Sequence, residues 1–328
     1  RLHTVFGLGP HRCLGEMLAR LEMQEGLAAL LAAAQSVAAT ACSGATFTTT
    51  AALEAALPTS CSSITGTLRL ELAAGEPQPH ALPLVTTSGA IYIQPDMAID
   101  MAAFLPNLET LTGTLYIRAG GDPDLGPTVV SFPALTTAQV VDCEDENTVT
   151  EFSAPLLTTL SGKFRFNRCH QVTTFSVPKL EAIHELAIND LGLLTNFDMG
   201  SDTASGFTCT NRFSISETEL LTTLGNSFAG GLTIASSGWD IRITFTGLTT
   251  LANFHIVAAG ELFFAYNDAL TAWDGTIAMG ALNGIEISNN DNLADLSGLY
   301  NALPATMSKG IEFSQMPLLT TFGTMFDN

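Results

Sequence analysis

The chain has 328 residues, which is long enough to bury a large core in one or two domains. Only 13% of the residues are charged, and 32 acidic against 12 basic side chains give a formal net charge of −20 at pH 7. Nucleic acids and anionic membranes bind through Lys and Arg, so this charge excludes nucleic acid and disfavours anionic membrane surfaces as partners. No run of about 18 apolar residues occurs, so we expect no transmembrane segment.

The chain begins with a glycine-rich loop around a cysteine, FGLGPHRCLG at residues 6–15, and apolar residues then recur at helical spacing up to Leu31. This segment resembles the haem-binding loop of cytochrome P-450 enzymes and the helix that follows it. The resemblance implies that Cys13 is the thiolate ligand of a haem iron. The other positions that match the haem-binding loop are Phe6, Gly7, Gly9, His11 (the residue that meets a haem propionate) and Gly15.

We nevertheless expect no catalysis by this segment. Enzymes of that family enclose the porphyrin with an oxygen-activating helix and a Glu-x-x-Arg pair that precede the cysteine, and here five residues precede Phe6. The sequence pattern also changes at about residue 34. We interpret residues 1–33 as a C-terminal haem-thiolate fragment, joined to the remainder by fusion or gene-model error through a linker at 34–41. Haem is expected only if the fragment is functional, and no cofactor is expected elsewhere.

A second interpretation exists for the end of this segment. Residues 26–34, GLAALLAAA, and the small residues at 37–41 have the composition of a secretory signal core and its cleavage site. Glu22 and Glu25 stand where a signal peptide carries basic residues. We therefore favour a plain amphipathic helix.

From residue 64 onwards a short sequence motif recurs, in which two apolar residues flank one other residue. In the clearest copies a glycine precedes this apolar-x-apolar triplet. The copies begin at Leu68, Ile91, Leu115, Phe164, Leu186, Phe207, Leu232, Leu262, Ile285 and Ile311, with a weaker one near Val140 in which Asp142 takes the second apolar place. Leu68 and Ile311 are 243 residues apart over ten intervals, so the period is about 24 residues. Residues 235–257 are irregular, and we expect an inserted segment there.

Each triplet predicts a short strand that has no core of its own, so successive coils must stack to bury a continuous apolar column. Pro-x-Leu leads into the next strand at Pro106, Pro133, Pro155, Pro178 and Pro317, and asparagine follows the strand at Asn167, Asn189, Asn267 and Asn290. Proline fits a corner, and asparagine can turn the chain and bond to the adjacent coil. We predict a mainly β fold, a right-handed β-solenoid of about 11 coils over residues 42–328, preceded by the short loop-helix segment.

The consensus Pro-x-Leu-x-x-Leu-x-Gly-x-Leu-x-Ile resembles the receptor L-domain family. That family includes the ligand-binding lobes of the insulin and epidermal growth factor receptors and fungal cell-wall and sporulation proteins with GPI anchors. The stretch from Cys42 to Gly66 resembles the fungal branch best. The resemblance implies a disulfide between Cys42 and Cys61 that closes the first coil, and hence an oxidising, extracellular or cell-surface location.

Other candidate sites have simpler interpretations. Cys143 and Cys169 lie about one coil apart and can pair, whereas Cys209 reads as a buried thiol. Four carboxylates at 142–146, with Asp122 and Asp124 one coil earlier, have the oxygen ligands for Ca²⁺, but a solvated acidic loop is favoured. We assign no catalytic role to His170, His184 and His255. The aromatic residues that could form a sugar platform are Trp239, Trp273 and Tyr266, with Trp273 favoured as core.

Doubled threonines recur at what reads as one phase of the repeat, beginning at Thr136, Thr158, Thr222, Thr249 and Thr320. An outward rank of threonines would bind ice, but neighbouring residues of an extended chain face opposite sides, so only one column can face out. A hydrogen-bonded ladder or an O-glycosylated face is therefore favoured.

We predict a non-catalytic, extracellular or cell-surface protein that recognises a protein or a glycan, or contributes to surface structure. The alternative is a fragment or fusion of a P-450 monooxygenase that binds haem and iron. A further alternative is an ice- or polysaccharide-binding solenoid.

Overall fold

The computed structural model describes residues 40–94, 97, 99–118, 129–200, 206–225, 227–228, 230–234, 241–252, 254–258, 260–278, 282–302 and 310–322. All of these residues except Thr40 belong to the compact unit Ala41–Asn328. The predicted haem-loop fragment at 1–33 and almost all of the predicted linker at 34–41 lie outside the described residues, so the domain boundaries stay predictions. None of the helices in the described ranges has the length and apolar character needed to cross a membrane.

The described elements are mostly short strands. In chain order they are β1 (Thr40–Ser43), β2 (Thr46–Phe47), α1 (Thr50–Ala56), β3 (Cys61–Leu70), β4 (Thr87–Ile93), α2 (Met101–Phe104), β5 (Thr110–Arg118), β6 (Val129–Ser131), β7 (Thr137–Glu144), β8 (Glu151–Ser153), β9 (Thr159–Asn167), β10 (Thr174–Val177), β11 (Ala182–Asn189), β12 (Asn196–Met199), β13 (Phe207–Thr218), β14 (Leu232–Ile234), β15 (Ile241–Thr246), β16 (His255–Ala258), β17 (Glu261–Ala265), β18 (Thr276–Ile277), β19 (Gly284–Ser288), a 3₁₀ helix (Ser297–Ala302) and β20 (Gly310–Ser314).

The strands stack coil upon coil. In the main sheet the order is β3-β4-β5-β7-β9-β11-β13-β15-β17-β19-β20, with β1 and β2 beside β3. The strands from β3 to β20 pair in parallel and make ten coil-to-coil steps within the described part of the chain. A second parallel sheet contains β6, β8, β10 and β12. The predicted mainly β, stacked-coil solenoid is therefore confirmed.

The two apolar residues of each triplet face inward and stack on their counterparts in the neighbouring coils. Leu115 and Ile117 pair with Ile91 and Ile93 in register, and all four are fully buried. In the middle of the solenoid the column consists of phenylalanines, and the rings of Phe166 and Phe175 meet edge to face at 4.5 Å. Each such side chain contributes about 1.5–3 kcal/mol through burial, which no single coil can obtain alone.

The structure corrects the register of three predicted repeats. Main-sheet strands carry a bulge, for example between Ile183 and Glu185, so each coil has one apolar segment before the bulge and another after it. The predicted copies at Phe207 and Leu232 are the segments before the bulge, and the triplets that align with Leu186 are Phe213–Ile215 and Ile241–Ile243. Near Val140 the inward pair is Val141 and Cys143, while Asp142 pairs with the outward Tyr116.

The stretch at 235–257, where we expect an insertion, is regular in its described part, and residues 235–240 lie outside the described residues. Ile241–Thr246 is a regular strand of the main sheet that pairs with β13 and β17. From this coil onwards the segments before and after the bulge are separate strands, β14 with β15, β16 with β17 and β18 with β19. This division hides the repeat in the sequence.

Glycine before the triplet is required by the close packing of the bulges. A Cβ on Gly162 would lie 2.6 Å from the carbonyl oxygen of Gln139 in the preceding coil. Backbone cannot move aside as a flexible side chain does, so any larger residue would push two coils apart.

The corner that follows each main-sheet strand, named here the second corner, contains a left-handed residue in eight consecutive coils of the described chain. These residues have φ between 53° and 59° and are Asp145, Arg168, Asp190, Glu217, Phe245, Tyr266, Asn289 and Gln315. Such a conformation is uncommon outside glycine and asparagine. Hydrogen bonds to the next coil hold it, since Asp145 N donates to Asn167 O and Arg168 N to Asn189 O, each at 3.1 Å.

The predicted Pro-x-Leu lead-in occupies two different places. Pro133, Pro155 and Pro178 precede β7, β9 and β11 in what we name the first corner, whereas Pro317 follows β20 in the second corner. The sequence pattern alone does not separate them, because both corners turn an extended chain toward an inward leucine.

The predicted asparagine tail likewise has two forms. Asn167 and Asn189 end their strands, whereas Asn267 and Asn290 lie two residues further on and are fully buried. Asn267 Nδ2 donates to Ile243 O of the preceding coil at 3.1 Å and to Ala265 O at 3.0 Å, and its Oδ1 accepts from Thr246 N at 3.1 Å. The predicted bond from asparagine to the adjacent coil is thus present.

Replacing Asn267 with alanine should destabilise the solenoid by about 2–4 kcal/mol, because it leaves several buried backbone groups without partners. Urea denaturation measures the loss. The matched control is Asn292→Ala, which removes an exposed bond from Nδ2 to Asp268 O and should change the unfolding free energy by less than about 0.5 kcal/mol. Equal losses in the two variants would contradict a stabilising role for the buried asparagine.

Candidate functional site

The outward residues of the main-sheet strands form a continuous surface, named here the outer face. Its central column contains the middle residue of each triplet, and these residues are Arg69, Tyr92, Tyr116, Asp142, Arg165, Ala187, Ser214, Arg242, Phe263, Glu286 and Glu312. Basic residues concentrate on these strands. Of the nine beyond residue 33, six lie in main-sheet strands, and they are Arg69, Arg118, Lys163, Arg165, Arg212 and Arg242. In so acidic a chain, this makes the outer face distinct from the remaining surface.

Over the first part of the outer face, neighbouring side chains make ring contacts and hydrogen bonds with one another. The guanidinium of Arg69 lies over the ring of Tyr92 at 5.7 Å, and the rings of Tyr92 and Tyr116 are 5.4 Å apart. Arg165 donates two hydrogen bonds to Asp142, at 2.7 and 3.0 Å. These groups have little remaining capacity for a ligand.

Beyond Arg165 the central column contains two small residues, Ala187 and Ser214, before it reaches Arg242. They leave a depression of about 350 Å³, named here the depression. Its lining residues are Arg165, Asn167, Ala187, Asn189, Arg212, Ser214, Ser216, Glu217, Arg242, Thr244 and Phe245. Most of them are outward residues of β9, β11, β13 and β15, so the sheet itself holds them in place.

Several polar groups in the depression have capacity for a ligand. Arg212 and Arg242 are exposed, and neither makes an ion pair in the described part of the chain. The guanidinium of Arg242 lies over the ring of Phe263, at 4.8 Å. The hydroxyls of Ser214 and Thr244 line the floor, and these residues are 6% and 2% exposed. A hydroxyl that faces the depression can both donate a hydrogen bond to a bound molecule and accept one from it.

A ladder of hydrogen bonds forms one side of the depression. Ser216 Oγ donates to Asn189 Oδ1 at 2.6 Å, and Asn189 Nδ2 donates to Asn167 Oδ1 at 2.7 Å. Carboxylates are also near, since Glu217 lines the rim and Glu185 stands opposite Arg212 in register. The depression therefore combines both charges with neutral donors and acceptors, and it is not a simple anion site.

An exposed aromatic pair adjoins the depression at the second corner. The rings of Phe245 and Tyr266 stack at 4.3 Å with an angle of 4° between their planes, and these residues are 45% and 43% exposed. Both have left-handed backbone, which turns their side chains outward. A bulky residue in this conformation is rare, and such residues cluster at functional sites.

The structure does not describe the residues that the haem-loop resemblance predicts as a haem site. Phe6, Gly9, His11, Cys13 and Gly15 lie outside the described residues, and haem binding stays a prediction.

Cys42 and Cys61 form a disulfide in the structure, with their Cα atoms 5.9 Å apart. This bond joins β1 to the start of β3 beside the helix α1, at the first coil.

For the carboxylates at 142–146 the sequence favours a solvated acidic loop over a calcium site, and the structure shows three of them bonded to arginines. Asp142 and Glu144 bond to Arg165, and Asp145 bonds to Arg168, whose guanidinium lowers the pKa of that carboxyl. No group of three or more His, Cys, Asp or Glu residues in the described ranges is arranged to hold a metal ion. Asp122 and Asp124 lie outside those ranges.

Glu146 differs from the other carboxylates because it points inward after the left-handed Asp145. Its Oε1 accepts hydrogen bonds from Thr148 N at 2.8 Å and Thr148 Oγ1 at 2.6 Å, while its buried Oε2 has no partner. Burial raises the pKa of Glu146, and the bonds from Thr148 oppose that rise.

The doubled threonines do not share one phase. Thr136 and Thr158 lie in the first corner, whereas Thr222, Thr249 and Thr320 lie in the second. Their hydroxyls bond between coils, for example Thr158 Oγ1 to Thr136 O and Thr249 Oγ1 to Thr222 O, each at 3.2 Å. The favoured hydrogen-bonded ladder is therefore present in both corners.

Of the aromatic candidates, Trp273 is core as predicted, Tyr266 belongs to the exposed pair, and Trp239 lies outside the described residues. The sequence did not point to Arg212, Arg242, Ala187 and Ser214. The concentration of basic residues in alternating positions was an available signal, but the register error at Phe207 and Leu232 concealed it.

Comparison with known proteins gives a match for one short segment of the chain. No family model matches, and no solved structure matches. The chain is 60% identical over 38 residues to cytochrome P450-pinF1, a plant-inducible protein of Rhizobium radiobacter. The match covers 12% of this chain and 9% of that protein. The match supports the resemblance of a short segment to cytochrome P-450 enzymes. The solenoid fold fits the leucine-rich-repeat-like pattern, but it does not identify a family for the repeats.

Glu146→Gln should change how stability depends on pH. With its raised pKa, Glu146 contributes stability that is fully present below its unfolded-state pKa of about 4.3 and is lost as the pH rises through the folded-state value. We therefore expect the unfolding free energy of the variant, relative to the unmodified chain, to increase from about pH 4 to about pH 8 in urea titrations. Glu219→Gln, at an exposed position, is the control. If the difference in unfolding free energy between Glu146→Gln and the unmodified chain does not change with pH, the raised pKa of Glu146 is contradicted.

Proposed function

We propose that this chain is a non-catalytic recognition protein of the extracellular space or cell surface, and that its ligand is a glycan bound in the depression. One observation carries the proposal. Guanidinium, hydroxyl and amide groups with hydrogen-bonding capacity surround a floor of small residues, directly beside the exposed pair of Phe245 and Tyr266.

The chemistry of this arrangement suits a saccharide. Each sugar hydroxyl both donates and accepts, which matches the mixture of Arg donors and Ser, Thr and Asn groups. The apolar face of a sugar ring can pack on an aromatic ring, and the stacked pair offers a broad one. A small cavity with a few convergent polar groups is typical of a site for a compact ligand rather than of a large protein interface.

Two observations support the location. The Cys42–Cys61 disulfide suits an oxidising compartment. The repeat consensus and the cysteine-containing first coil resemble receptor L-domains and fungal cell-wall proteins, and a stacked-coil fold fits a binding role of that kind.

Glycan binding should depend on the depression. After a ligand is found on a glycan array, its affinity is measured by titration calorimetry. We expect a loss of affinity of about tenfold or more for Arg212→Ala, Arg242→Ala and Tyr266→Ala, because Arg and Tyr side chains commonly contribute most of the binding energy at such sites. Lys179→Ala is the matched control, since it removes an exposed cation from the first corner. An array without any bound glycan, or a ligand whose affinity none of the three changes affects, would overturn the proposal.

Haem binding at Cys13 is the second candidate function, and the 38-residue match to a cytochrome P450 favours it. The match covers only 9% of that protein, and a thiolate loop holds haem weakly unless a pocket encloses the porphyrin. We therefore expect the full chain, mixed with haemin and reduced under carbon monoxide, to lack the absorption band of a thiolate-ligated haem.

The control for this measurement is a pair of cysteine variants. A thiolate-type band that disappears in Cys13→Ala and persists in Cys209→Ala would establish haem ligation and make the second candidate the better one. A pyridine-haemochrome assay on the same samples measures how much haem is bound.

A further inference from the structure

Two buried cysteines from consecutive coils meet inside the solenoid. Cys143 is the second inward residue of the β7 triplet, and Cys169 follows the left-handed Arg168 in the next coil. Their Sγ atoms are 2.8 Å apart, and neither residue is exposed. We infer that Cys143 and Cys169 form a second disulfide, which links one coil to the next.

The backbone, not side-chain flexibility, brings the sulfur atoms together. Cys143 pairs with Phe166 in the sheet, and Cys169 comes three residues after Phe166. On both sides of the contact the corner is held by hydrogen bonds, from Asp145 N to Asn167 O and from Val172 N to Cys169 O, each at 3.1 Å. A disulfide bond is about 2.05 Å long, so the sulfur atoms need to move by less than about 1 Å.

The bond should form while the chain folds. Burial and the neighbouring Cys169 thiol raise the pKa of Cys143 well above its ordinary value, so the reactive thiolate is scarce once the coils have stacked. In the open chain, the thiolate of one cysteine attacks a small-molecule disulfide such as oxidised glutathione and releases one of its thiolates. The second cysteine, after losing its proton, attacks the mixed disulfide and releases the other thiolate. Two cysteine thiols are oxidised and one small disulfide is reduced to two thiols.

The bond would constrain a single coil. The two cysteines are 26 residues apart, close to the repeat length, so the closed loop is one turn of the solenoid. The Cys42–Cys61 bond closes the first coil in a comparable way, and its two cysteines are 19 residues apart. Both bonds fit the same oxidising environment, although this inference does not depend on the proposed glycan site.

Peptide mapping of the full chain tests the inference. The purified protein is refolded in a buffer of oxidised and reduced glutathione, then denatured and alkylated without a reducing agent. We expect a cross-linked peptide pair that contains Cys143 and Cys169, with no alkylation at either residue. Cys209 should be alkylated in the same sample and serves as the internal control for reagent access.

Two variants make the assignment specific. Cys169→Ser should leave Cys143 alkylated, whereas Cys209→Ser should leave the cross-link intact. Alkylation of Cys143 and Cys169 to the same extent as Cys209, or a cross-link from Cys143 to another cysteine, would overturn the inference. Since the decisive measurement uses the unmodified sequence, poor folding of a variant does not affect it.

Discussion

The structure depends on one constraint, the parallel register that places each residue directly on its counterpart in the neighbouring coil. Because the backbone bonds of one coil are completed by the next, no coil is stable alone, and the inward residues must match from coil to coil. Even the left-handed residues of the second corner follow this rule. The N–H groups of five of them bond to the following coil, as Asp145 N does to Asn167 O, so neighbouring coils stabilise a conformation that isolated residues rarely adopt.

The same register determines the outer face. Outward side chains also form columns, and each residue faces partners that sequence separation alone does not reveal. Where the column brings Arg165 onto Asp142, the charges neutralise each other. Where it brings Ala187 onto Ser214, it leaves a depression bordered by Arg212 and Arg242, which make no ion pair among the described residues. The proposed binding surface is therefore a local interruption, next to a part of the outer face in which neighbouring side chains bond to one another.

The sequence was sufficient for the architecture but not for the site. Regular triplets such as Leu115–Ile117 and their spacing predicted the stacked coils, because burial imposes the same pattern on every coil. The sequence placed the triplets at Phe207 and Leu232 in the wrong register, because the segments before and after the bulge show the same alternation of apolar residues. Arg212 and Arg242 lie in those two coils, so their proximity remained hidden, and the small residues at 187 and 214 have no distinctive signal of their own.

The unequal coils have an evolutionary consequence. Phe213 and Ile241 are register partners 28 residues apart, whereas Ile241 and Leu262 are partners only 21 residues apart, yet the strands remain aligned. Length variation is absorbed between the strands, so insertions and deletions can accumulate there without moving the outer face. Natural selection can therefore alter the loops of one coil and the outward side chains of another independently, because a change in loop length leaves the strands aligned.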